Sequence, residues 1–280
     1  MLAQDDMLGS RVRIRRGEAR RERKICRFLI FPAGSVVISF FLWYNDSILG
    51  VKAIGVLQDI LNGFDFSGLR EILMRVIPAL LCITLHELSH GAAAYALGDR
   101  TAKRAGRLTL NPIKHLDPMG LLMMVVFGFG YAKPVPVDMR NFKNPKQGMA
   151  LTALAGPGSN VLIALVFLFL YGLFLPGLYA SKAGDYVLEF LATTAQLSLA
   201  MGIFNLLPIP PLDGSKVLFS LLPEDKYWQL MRYERYGMIA LAVLLLTHLI
   251  DTPLMWLLQK GIDLLMPAAN LGFRLGQMIF

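Results

Sequence analysis

The 280-residue chain is 55% hydrophobic and only 17% charged, which is too apolar for an ordinary soluble domain and expected of several membrane spans. Its 28 Lys and Arg outnumber its 20 Asp and Glu, giving a net charge of +8. Because the basic residues cluster between apolar blocks, they read as the orientation signal of a membrane protein and argue against a nucleic-acid partner.

Residues 1–27 are polar and strongly basic and lack the periodicity that buries a core, so they are expected to form a cytosolic tail. Phe28 to Tyr44 is apolar with aromatic residues at its far end, and is read as a first span leaving the cytosol, followed by an outer connection to residue 74. Val76 to Leu97 is the second apolar block, with Gly98 as its helix stop. The dense positive loop after it (Arg100, Lys103, Arg104, Arg107, Lys114) is cytosolic on the positive-inside rule, so this helix runs inward. Leu121 to Gly130 is too short and Gly-rich to cross about 30 Å as a helix and is expected to form a re-entrant or β-like hairpin. Met149 to Leu175 and Val187 to Leu207 are two further spans. Tyr236 to Ile250 and Pro253 to Met266 read as a final hairpin returning the C-terminus to the cytosol, with one long kinked helix as the competing reading. The expectation is an all-α polytopic membrane protein of about six transmembrane helices, with the short hairpin near its active site. It divides into a basic tail (1–27), a first span and connection (28–74), a core (75–220) and a C-terminal membrane hairpin (221–280).

Within the second block stands Leu85-His86-Glu87-Leu88-Ser89-His90-Gly91. Two imidazoles four residues apart lie about 40° apart around a helix and reach one metal, while Glu87 is placed to take a proton from a water on that metal. Neutral imidazoles suit zinc, and the carboxylate stays out of the coordination sphere as a general base. A lone polar residue in a span is most often a satisfied packing residue, but His, Glu and His together at this spacing in lipid point to function. Cys82, one turn before His86, reads as a small buried hydrophobe.

A catalytic zinc wants a third protein ligand and an open position for water. The candidates are His115, Asp117, Asp213, His248 and Asp251. Asp213 is preferred, since it follows an apolar span and three prolines that strip the chain of helical hydrogen bonds and let it turn inward. Its alternative role, a helix N-cap before Gly214-Ser215, is compatible with ligation.

The motif HELSH, then NPIKHLDPMG, AKPVPVDMRNFKNPKQGMALTALAGPGSN and NLLPIPPLDG, in this order over about residues 75–220, resemble the site-2 protease family of intramembrane zinc metallopeptidases in its compact form without a PDZ or CBS domain. The resemblance implies that His86, His90 and Asp213 hold one Zn2+ per chain, that Glu87 is the catalytic base, that Asn160 lies in the active-site neighbourhood and that Asn205 helps position substrate. The chain is expected to be a multi-pass protein of the cell (plasma) membrane, with the N-terminus cytosolic by its basic charge. Its substrates would be single-span membrane proteins cleaved in regulated intramembrane proteolysis, with control from a membrane regulatory partner. Two readings from other classes compete, a catalytically idle zinc-stabilised scaffold and a metal transporter. The intact Glu87 favours the protease over the scaffold, and four histidines in all are few for the successive metal stations of a transporter.

Overall fold

The structure, a computed structural model, describes residues 66–118, 132–179 and 181–280. The basic tail, the expected first span and the expected hairpin at Leu121 to Gly130 lie outside the described residues. Seven helices are described: α1 (Phe66–Ala96), a single turn α2 (Thr101–Arg104), α3 (Pro145–Leu178), α4 (Lys182–Asn205), α5 (Asp213–Ser220), α6 (Glu224–Leu246) and α7 (Asp251–Ile279). Single 3-10 turns occur at Pro112–His115 and Met139–Asn141, and the described residues contain no strand.

Three of these helices are long and apolar enough to cross a membrane: Val76–Ala96 within α1, α3 and α4. They coincide with the apolar blocks read from the sequence, with ends displaced by a few residues where caps decide. Asn144 accepts from the Gln147 N–H at the start of α3, and Ser181 accepts from Gly184 N–H at the start of α4. Such side chains replace the carbonyls that a first turn lacks. At the end of α1, Gly98 takes φ +108° and Asp99 N–H donates to the Ala94 carbonyl, so the helix stops where the sequence predicts.

The helices pack by close backbone approach, since apolar side chains gain nothing from leaving lipid for one another. α3 is central. α1 lies antiparallel to it, with His86 beside Asn160 and His90 beside Thr152. α4 returns antiparallel on another side, where Ser198 Oγ donates to the Asn160 carbonyl. Against α7, an added Cβ at Gly172 would strike the Ala269 carbonyl and one at Gly272 would strike the Phe169 carbonyl. These contacts bring two backbones together without intervening side chains.

The last two helices settle one alternative and correct another expectation. Two helices are present, α6 and α7, and not one kinked helix. They join at a turn in which His248 adopts φ +57° and its ring pairs with Asp251 at 2.8 Å. Residue pairs 169–272 and 173–276 run in step, so α7 is parallel to α3, and the Phe280 ring meets Phe174. The C-terminus therefore lies at the far end of α3 from the basic Lys143 and Lys146, and not on their side as the expected hairpin required.

Asp99 ties the end of α1 to the chain ahead of α3. Its buried carboxylate accepts from Thr101 Oγ1 and N–H, from Asp138 N–H and from the Asn141 amide. Burial pushes this carboxyl up, and the four donors outweigh it and hold it below the ordinary carboxylate value.

Candidate metal centre and active site

His86 and His90 lie on one face of α1, their rings edge to face with centroids 4.5 Å apart. Asp213, the first residue of α5, meets them from the other end of the sequence: its Oδ2 is 3.3 Å from His86 Nε2 and 3.1 Å from His90 Nε2. The two Nε2 atoms are 3.0 Å apart. All three residues are buried, and they form the one group of three or more His, Cys, Asp or Glu side chains among the described residues with donor atoms converging closely enough for a metal.

The donor set fits zinc. Ligands at 2.0–2.1 Å around a tetrahedral ion stand about 3.3 Å apart, close to the spacing of this triangle. The outer nitrogens are arranged to match. His90 Nδ1–H donates to the Thr152 carbonyl at 2.7 Å, which leaves Nε2 as a lone pair. The fully buried Asn160 places its Nδ2 3.1 Å from His86 Nδ1 while its Oδ1 has no partner. Turning that carboxamide over sets Oδ1 on the ring N–H and satisfies both groups, and His86 Nε2 then also presents a lone pair. Two lone pairs and a carboxylate oxygen facing one point suit a metal cation between them. Hydrogen bonds to the outer ring nitrogen are the usual means of orienting such ligands.

Room for the rings comes from α3. A Cβ added at Gly156 would fall within 3 Å of His90 Nε2 and of His86 Cε1, so only glycine at this position lets the two imidazoles lie against the helix. Pro157, in the interior of α3, brings no backbone N–H, and the Ser159 hydroxyl donates to the Gly156 carbonyl at 2.7 Å. Asp213 is brought in by the non-helical 207–211 segment, which follows α4 and lets α5 start beside α1; Leu212 is the N-cap residue, without a side-chain bond, so Asp213 is left for the imidazoles.

Glu87 is not among the converging donors. Its Oε2 accepts from the Val135 N–H at 2.9 Å, in the irregular chain ahead of Asp138.

The other candidates for a third ligand are elsewhere. His115 is buried, its Nε2 facing the Thr109 carbonyl at 2.9 Å, and it is absent from the converging group, as are Asp117, His248 and Asp251. Asn205 ends α4 with its amide donating to the Met201 carbonyl at 2.9 Å. Cys82 is buried against α4, its Sγ 3.8 Å from the Thr194 carbonyl. Sequence reasoning missed Gly156, Thr152, Val135 and Lys216, whose Nζ is 3.7 Å from Asp213 Oδ1. Of these only Gly156 had a signal, as part of the small-residue run AGPGSN.

The profile described as "Peptidase family M50" matches residues 178–249. The chain is 41% identical over 194 residues to the Bacillus subtilis (strain 168) protein named "Putative zinc metalloprotease YwhC", an alignment covering 67% of this chain and 87% of that one. It is 32% identical over 174 residues to "Putative zinc metalloprotease Rip2" of Mycolicibacterium smegmatis, covering 60% of this chain and 64% of Rip2. It is also 33% identical over 134 residues to "Putative zinc metalloprotease MJ0611" of Methanocaldococcus jannaschii, covering 48% and 62%. No solved structure matches. With most of the length of one such relative covered at this identity, three membrane-length helices and a His-His-Asp triad that fits zinc, the chain belongs to peptidase family M50, the site-2 protease family of membrane zinc metallopeptidases.

Proposed function

We propose that this protein is an intramembrane zinc metalloprotease that hydrolyses peptide bonds within or beside the transmembrane segments of single-span membrane proteins. The observation that carries the reading is the convergence of His86, His90 and Asp213 with Glu87 left outside the donor set. One zinc per chain held by these three residues would supply Lewis acidity and an activated water at neutral pH.

The chain's own groups do the rest. Thr152 and Asn160 fix the tautomers of the two imidazoles. Glu87 has one oxygen tied to Val135 N–H and the other for the proton of the attacking water, which it passes to the leaving nitrogen. His90 is about six residues from the end of α1, on the order of 10 Å at the helical rise, so water enters most directly from the side of the basic loop. Asn205, beside the turn that delivers Asp213, serves substrate positioning.

The wider setting is proposed on the same basis. In this reading the chain is a multi-pass protein of the plasma membrane with about six spans and a basic cytosolic N-terminal tail, and the three membrane-length helices support its membrane insertion. A core over 75–220 carries the chemistry, and a separate membrane partner regulates access, as in regulated intramembrane proteolysis. A transporter would need further metal stations, and the described residues hold a single converging group.

The test is Glu87→Gln in the purified full-length protein with a single-span model substrate. The variant should bind zinc as the wild type does and lose cleavage by a factor of about 10² or more, within the range general base removal gives. Unchanged cleavage with zinc retained would refute the protease assignment.

A further inference from the structure

The segment 132–137, which has no regular secondary structure, reads Ala-Lys-Pro-Val-Pro-Val. Proline lacks an amide hydrogen, so across Pro134, Val135 and Pro136 the backbone offers one donor, at Val135. That single N–H is the one on Glu87 Oε2. The segment is held in this position from three directions. Gly91, one turn after Glu87 on α1, bares the helix surface, and a Cβ there would lie 3.2 Å from Val135 Cγ1; Val135 itself is buried. The His115 carbonyl accepts from Lys133 N–H at 2.9 Å. Arg107, 7% exposed, sends Nη2 to the Lys133 carbonyl at 2.5 Å and to the Pro134 carbonyl at 3.4 Å.

A guanidinium is costly to bury, and among the described residues this one has no carboxylate partner: it donates to the carbonyls of Lys133 and Pro134, and its Nε is buried without a partner. The basic loop as read from the sequence treats Arg107 as one more solvated orientation charge. In the structure it faces inward and restrains the peptide that carries the Val135 N–H. We propose that Arg107 is a positioning residue for catalysis, acting through the 133–135 backbone to keep the Val135 N–H on Glu87 and so fix the carboxylate beside the metal ligands. This rests on the protease reading. A misplacement of about 1 Å in a reacting group costs on the order of 10²-fold in rate, so a restraint of this kind acts on turnover more than on substrate binding.

The test uses the full-length protein in a bilayer mimetic with a single-span substrate. Arg107→Ala should lower kcat by about tenfold or more with KM within about twofold of wild type and with zinc content unchanged, and added guanidinium ion should restore part of the loss. Replacing the Pro134–Val135 amide by an ester through an α-hydroxy acid at position 135 removes the N–H and weakens the Pro134 carbonyl as an acceptor, while leaving the shorter Arg107 bond to the Lys133 carbonyl in place, and should give the same loss with Arg107 intact. If Arg107→Ala does not fold, the ester variant decides alone. An ester variant with wild-type or higher kcat overturns the inference, the higher value meaning that the contact restrains activity. Should the wild type itself fail to cleave, the protease reading is at fault, and the inference is then judged without activity: in the metal-free protein the Val135 amide should exchange with solvent markedly faster in Arg107→Ala and in Glu87→Ala than in wild type, and equal exchange overturns it.

Discussion

At Gly156 a missing side chain does as much for the metal centre as the ligands do. Substituting Gly156→Ala puts a methyl group within 3 Å of both imidazoles, and neither ring can retreat, since each outer nitrogen is held, by Thr152 and by Asn160. The expected outcome is a loss of zinc affinity of about 10–100-fold, the range for disturbing the groups that orient ligands, with the helical content unchanged. Competition with a zinc chelator followed by metal analysis checks it; wild-type affinity would mean that the rings are not held as described. The ligand pair and base were legible in the sequence because they lie four residues apart on one helix, where geometry follows from the 3.6-residue repeat. Gly156 and Thr152 were not, because their role depends on which helix α1 packs against, which local pattern does not encode.

At the scale of elements, the three long apolar helices were legible from hydropathy, and their ends were fixed by caps at Asn144, Ser181 and Gly98 that a sequence reading places within a few residues. The third ligand was a preference among five candidates; the turn at Pro208–Pro211 gave Asp213 its weight, and the structure brings it alone of the five to the imidazoles. The basic loop was legible only as charge. Arg107 and Asp99, both buried there, are structural ties to partners 26 and 39 residues on in the sequence. The packing of α3 on α7 makes its own prediction. A Cβ at Gly272 meets backbone, the Phe169 carbonyl and Leu173 nitrogen, which cannot move aside as a side chain does. Gly272→Ala should therefore destabilise the protein by about 1–3 kcal/mol, as overpacking does, seen as a lower thermal midpoint in detergent. A midpoint equal to wild type would place α7 away from α3.

For the whole molecule, α1 and α4 run one way while α3 and α7 run the other, with the metal ligands gathered where α1 meets α3 and α5. The direction of α7 escaped the sequence reading because a hairpin and a parallel return leave the same hydropathy trace. A site reached from within a helical bundle has consequences for its substrate. A helix hides its carbonyls in its own hydrogen bonds, so a substrate segment must unwind before attack. Model substrates with helix-breaking residues near the cleaved bond should be cut faster than helix-stabilised ones, as followed by product formation over time. Equal rates would argue against unwinding as a requirement.

The central claim is that two imidazoles from α1 and one carboxylate from α5 share a single ion. X-ray absorption at the zinc edge of the purified, zinc-loaded protein tests it most directly. The wild-type spectrum should show two imidazole nitrogens and light oxygen donors at about 2.0–2.1 Å, with the carboxylate oxygen lost in Asp213→Ala. A sulfur shell at about 2.3 Å, or a coordination sphere unaltered by Asp213→Ala, would contradict it.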